Sequence, residues 1–183
     1  MNESDHHSAR DPEHMRTSEM LPRKATFWQR FAAALIDSFA VLAVFAPIIW
    51  LRTRFPEWNE VLLLLCGVLS FSYEIVAHAK FGKTLGKHVM GARVVRLDYT
   101  SIGWKEAWLR SSVSVAFFVV ESFLAGVEAA EMWTDTISIL SQLWVWSEVI
   151  VMLCNEQRRA LHDFIAGTLV IDERHAPTRL TTV

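Results

Sequence analysis

The chain has 183 residues, 52% hydrophobic and only 21% charged, with eight Trp and eleven Phe; this balance excludes a disordered chain, a collagen-like repeat and a small disulfide scaffold. The formal net charge of −2 argues against nucleic acid as the main partner. Charged residues collect in tracts between long apolar runs, the pattern of a membrane protein rather than of a water-soluble domain.

Residues 1–24 are polar, mixed in charge and without an early apolar core. They read as a disordered cytoplasmic tail, not a cleaved signal peptide. His6, His7 and His14 lie there as solvated side chains, and no metal or cofactor is expected. The first apolar run, residues 27–50, is bracketed by Trp28 and Trp50, roughly 33 Å apart on a helix, which matches a bilayer core with an aromatic residue at each interface. Further runs cover about 60–79, 111–127 and 136–154. The expected architecture is therefore an all-α membrane protein with four transmembrane helices at about 28–50, 60–79, 111–127 and 136–154. The membrane domain takes residues 25–174, and 175–183 form a second tail.

Sixteen of the 18 basic residues fall before the first run or at its leading edge (Arg30), between the second and third, or after the fourth. By the positive-inside rule both termini and the middle loop are cytoplasmic, in the inner membrane of a bacterium. In that loop, residues 92–97 alternate like a short strand, and 168–172 read as a second one; the two make a candidate surface pair. Trp104 and Trp108 suit an interfacial helix leading into the third span. Cys66 and Cys154 sit in separate apolar stretches and read as packing residues.

Several segments together resemble the RDD family of small prokaryotic membrane proteins: RFAAALID with Arg30 and Asp37, GKTLGKHVMGARVVR at 82–96, Arg110 before the third span, and RRALHDFIAGTLVI at 158–171. The resemblance covers about residues 27–172. The family's name, one Arg and two Asp, corresponds by position to Arg30, Asp37 and Asp163. It implies a role related to transport, or one that depends on a membrane partner.

Arg30 and Asp37, seven apart, share one helix face. Asp37 lies roughly 10 Å deeper, where an unpaired carboxylate is expensive. A triad of Arg30, Asp37 and Asp163 would act either as a structural clasp or in transport. Glu74 lies roughly 9 Å below Lys80, and Glu121 and Glu148 roughly 15 Å from their cytoplasmic flanks at Arg110 and Arg158, near the midplane. Two midplane carboxylates on neighbouring helices would take up a proton or a cation, or be protonated and hydrogen-bonded across helices. Glu121, Glu148 and Glu74 are thus the candidate ion or proton path. Lys83, Lys87, Arg93 and Arg96 are candidates for anionic lipid head groups, or mark topology alone. GKTLGK lacks the spacing of a P-loop, and no catalytic constellation is visible, so an enzyme is not expected. His162 reads as a solvated loop residue. The leading expectation is a small proton- or cation-coupled transporter or accessory subunit; the alternative is a non-transporting scaffold. Its partners would be the bilayer and either a second copy or another membrane protein.

Overall fold

A computed structural model describes residues 22–125, 127 and 131–175. The readings of the tails at 1–21 and 176–183 lie outside the described residues.

Four helices are long and apolar enough to cross a membrane. Helix α1 spans Phe27–Arg54, α2 Asn59–Phe81, α4 Trp104–Ala125 and α5 Glu131–Cys154. Short helices α3 (Leu85–Val89) and α6 (Leu161–Ile165) and strands β1 (Ala92–Arg96) and β2 (Thr168–Asp172) complete the order, with 3-10 turns at Pro56–Trp58 and Glu173–His175. Most of the large apolar side chains on the long helices face outward, Trp28, Phe39, Phe123 and Trp146 among them. A water-soluble core would turn these inward; a membrane helix turns them to lipid.

The strand pair expected at the surface forms as an antiparallel ribbon, with Ala92 opposite Asp172 and Arg96 opposite Thr168. The segment before α1 joins it. Lys24 bridges to Ile171, Ala25 N–H donates to Val170 O at 2.9 Å and Asp172 N–H to Arg23 O at 2.8 Å. A small apolar cluster of Ala25, Ala92, Val94, Ile102 and Val170 fills the ribbon's inner face. Both described ends of the chain therefore lie at one end of the bundle, called here the ribbon end.

Local chemistry fixes the helix boundaries. Thr26 caps α1 reciprocally with Gln29: Gln29 N–H donates to Thr26 Oγ1 at 3.2 Å and Thr26 N–H to Gln29 Oε1 at 2.8 Å. Gly82, with φ of 68°, ends α2 in the left-handed conformation that suits glycine. Three boundaries differ from expectation by more than two residues, the first being α5, which begins at Glu131 rather than about 136. Helix α1 runs on to Arg54, with Pro47 inside it. The stretch 104–110 is no separate interfacial helix but the first two turns of α4, which is continuous through Arg110. Arg110 is buried at the ribbon end, so no polar break separates the two parts.

The spans pack as an open series, α1 on α2, α2 on α4 and α4 on α5, while α1 and α5 scarcely touch. Helix α3 lies against α1. The gap between α1 and α5 at the ribbon end becomes the site described next.

Candidate functional site

Asp163 is the hub of the ribbon end. It is fully buried, and its Oδ2 accepts from Arg30 Nη2 at 2.7 Å and from the Ala160 N–H at 3.0 Å. Its Oδ1 accepts from Arg110. Arg110 also donates to Thr168 Oγ1 at 2.7 Å. Arg159 ties the same turn from behind, donating to Thr168 O and to Asp163 O, each at 2.9 Å, with its guanidinium 4.1 Å from the centre of the Phe164 ring. Burial pushes the Asp163 carboxyl up, but the guanidinium groups of Arg110 and Arg30 outweigh it and hold the group well below the usual carboxylate range. One anion thus joins α1, α4 and α6.

Asp37 does not join this cluster. Its Oδ1 accepts from the Gly86 N–H at 2.7 Å and its Oδ2 from Thr84 Oγ1 at 2.5 Å. Tyr73 is the third neighbour, its hydroxyl 3.4 Å from Oδ1 while accepting from the Leu85 N–H at 2.9 Å. The expected triad therefore resolves into two ties with different jobs. Arg30 pairs with Asp163, and Asp37 seats α3. The reason is reach: Asp37 lies two turns further from the ribbon end than Arg30, level with the loop that follows α2.

The deep acids separate in the same way. Glu121 accepts from Ser141 Oγ at 2.8 Å and lines a cavity of about 420 Å³ at the far end, with Glu60, Ser122, Thr134 and Ser138. Glu148 sits at the ribbon end, 2.6 Å from His162 Nδ1. They are not one midplane pair. Helix α5 ends at Cys154, so Arg158 is not the helical flank from which depth is counted, and Glu148 lies only six residues from the end of its helix.

The structure instead brings Glu148 and Glu74 to one cavity of about 470 Å³ between α1, α2 and α5, whose wall also carries Arg30, Asp37, Lys87 and His162. His162 is not a solvated loop residue. Its Nε2 lies 2.9 Å from Arg110 Nη2, and since a guanidinium only donates, Nε2 accepts and Nδ1 carries the hydrogen toward Glu148. Lys87, expected at head groups, turns into this cavity. Its Nζ lies 2.7 Å from Nε2 of the buried His78. Burial, and then the Arg110 charge, push Lys87 down to about 7. The remaining basic candidates are engaged within the chain: Lys83 with Glu173 at 2.6 Å, Arg93 with Glu173 at 3.5 Å and Arg96 with Glu106 at 2.9 Å.

Sequence reasoning missed His78 as a site residue and gave His162 and Arg110 no role in a site. The signal available was for His78 alone: a histidine four residues after Glu74 on one helix face.

Comparison with known proteins places this arrangement. The RDD family profile matches residues 24–167. The chain belongs to the RDD family. All the residues that build the clasp and the α3 seat, apart from Thr168, lie inside the matched range. Over 148 residues the chain is 28% identical to a Bacillus subtilis (strain 168) protein described as "Uncharacterized protein YckC", covering 81% of this chain and 84% of that one. No solved structure matches it. With four apolar spans and RDD membership, this is a multi-pass membrane protein.

Proposed function

We propose that this RDD protein is a small proton- or cation-coupled transporter, or the ion-carrying subunit of a larger one, in the bacterial cytoplasmic membrane with its ribbon end inside. The observation that carries the reading is the ribbon-end cavity, where carboxylates from three different spans, Asp37, Glu74 and Glu148, line one hollow. Intramembrane acids are costly and are kept where they pair or meet a pathway. Asp37 is saturated by α3 and Glu148 is held by His162, whereas the Glu74 carboxylate has no hydrogen-bond partner among the described residues. A clasp alone gives no reason for a carboxylate that faces a cavity without a hydrogen bond.

The far-end cavity with Glu60 and Glu121 supports a path from the other side. The rings of Phe71, on the wall of the ribbon-end cavity, and Phe118, on the wall of the far-end one, lie 5.4 Å apart. Gly67 lets Phe118 press against α2, since a Cβ there would fall 2.1 Å from the ring. No covalent chemistry enters this reading.

The test is flux in liposomes of the purified protein. A cation- or proton-coupled current should fall at least tenfold in folded Glu74→Gln and Glu148→Gln variants. Wild-type protein giving no flux above empty liposomes would overturn the proposal.

A second reading, a non-transporting scaffold that holds another membrane protein or a second copy, is favoured by the Asp163 clasp. It spends its buried charges on joining α1, α4 and α6. It also leaves Leu143, Trp146 and Ile150 exposed on α5. Absent flux together with a stable, stoichiometric co-purifying subunit would decide for it.

A further inference from the structure

We propose that Lys87 and His78 form a one-proton site on the wall of the ribbon-end cavity, two bases that hold a single exchangeable proton between them. The geometry dictates the count. His78 Nδ1 lies 2.9 Å from Glu74 O, and a carbonyl can only accept, so Nδ1 carries a hydrogen. His78 Nε2, 2.7 Å from Lys87 Nζ, is then the lone-pair nitrogen of a neutral ring and accepts from the lysine. A second hydrogen on the ring would set N–H against N–H unless Lys87 had first become a neutral amine. The doubly protonated pair is therefore excluded, and the proton either sits on one of the two nitrogens or is gone.

The surroundings keep the site in place and near balance. Gly86 and Thr84, on either side of Leu85, are bonded to Asp37 of α1 and fix the backbone from which Lys87 extends. His78 is 1% exposed. The charged and titratable groups around the pair come from several elements, with Asp37 on α1, Glu148 on α5 and His162 on α6 sharing the cavity wall with Lys87. Glu74 on α2 and Asp163 on α6 favour the proton on Lys87, while Arg110 on α4 and Arg30 on α1 oppose it. On β1, Arg93 is engaged with Glu173. Burial brings the Lys87 ammonium to about 7, so the proton would come and go within the physiological range.

This deepens the transport reading by naming where its proton resides, and rests on that reading only for its use. The test is nitrogen NMR of the full-length protein in lipid, with lysine and histidine labelled. The chain has five lysines. One Nζ should titrate near 7, about 3 units below an ordinary lysine, and that signal should vanish in Lys87→Arg. The His78 ring should stay in its Nδ1–H form wherever Lys87 is charged. All five lysines titrating near 10 would overturn the proposal without recourse to any variant, as would a His78 imidazolium coexisting with charged Lys87. A lysine titrating near 7 in protein without flux keeps the site and removes the transport reading. Flux without such a lysine does the reverse.

Discussion

The backbone of Gly86 rests on the carbonyl of Ala33, so close that a Cβ on Gly86 would lie 2.0 Å from that oxygen and 3.0 Å from the Asp37 carboxyl carbon. Helix α3 can meet α1 only through a residue without a side chain, and the contact brings the Gly86 N–H onto Asp37. Gly86→Ala must push α3 outward and leave Asp37 short of a donor within the membrane boundary. Overpacking of this kind costs about 1–3 kcal/mol, and loss of a hydrogen bond to a charged group about 1.5–3 more. Thermal unfolding in detergent should show Gly86→Ala markedly weakened. An unchanged midpoint would mean that α3 is not seated on Asp37.

Breaking the Asp163 clasp should be worse. Asp163→Asn leaves Arg30 and Arg110 buried beside a neutral amide, and removing one partner of a buried charge cluster costs about 3–5 kcal/mol. The pH dependence follows from the sign of the shift. The folded carboxyl is held below its unfolded value, so its contribution is complete above about 4 and is lost only as pH falls through the lower folded value. The deficit of Asp163→Asn relative to wild type should therefore be constant from pH 5 to 9 and shrink only in strong acid. A deficit that changes between pH 5 and 7 would contradict the assignment of Asp163 as the titrating group.

Much of this fold was legible because its signals are additive along the chain. Four apolar runs, the one-sided basic residues and two alternating stretches need no knowledge of packing. The pairing of 92–96 with 168–172 was readable for that reason. The site was less legible because its geometry depends on where a helix stops. Counting from Arg158 puts Glu148 at the midplane, yet α5 ends at Cys154 and a loop carries the chain to Arg158. Asp37 and Arg30 share a helix face, but proximity on one helix does not give two side chains the same partner. Lys87 looks like any other loop lysine in sequence. Only the docking of Gly86 on Ala33 shows that it must turn into the cavity.

Adjacent arginines after α5 should behave in opposite ways. Arg158 adopts φ of 52°, and it is the Arg158 backbone carbonyl, not its side chain, that accepts from Arg30 at 2.7 Å. The left-handed conformation costs a non-glycine residue about 1–2 kcal/mol. Arg158→Gly should leave stability unchanged or raise it by up to about 1 kcal/mol. Arg159→Ala deletes two donors to buried carbonyls of Thr168 and Asp163 and should cost about 2–4 kcal/mol. Paired unfolding curves check this; equal effects of the two substitutions would contradict the assignment.

The lowered Lys87 ammonium carries its own signature in stability. The folded group titrates at about 7 and an unfolded lysine near 10.4. Between those values the unfolded chain binds more protons, so stability should rise with pH, by at most about 1.4 kcal/mol per unit. Below 7 both states are protonated and the slope vanishes. Asp163 adds nothing in this window. Lys87→Met should flatten the rise between pH 7 and 10 and be more stable than wild type near neutrality in detergent. If variant and wild type keep the same slope, the lysine is not desolvated in the folded protein.

Membrane orientation is the remaining expectation that a single experiment can decide. The ribbon gathers residues 23–25, 92–96 and 168–172 at one end of the bundle, so the segment before α1, the middle loop and the segment after α5 must share one side of the membrane. The basic residues concentrated in those segments assign that side to the cytoplasm. Reporter fusions at residues 90 and 175 should read inside, and at 56 and 131 outside. The two halves of the result test different things. If all four reporters invert together, the bundle stands and the charge rule has misassigned its side. If 90 and 175 disagree, the ribbon cannot form, and with it falls the route by which Asp163, Arg30 and Arg110 come to meet.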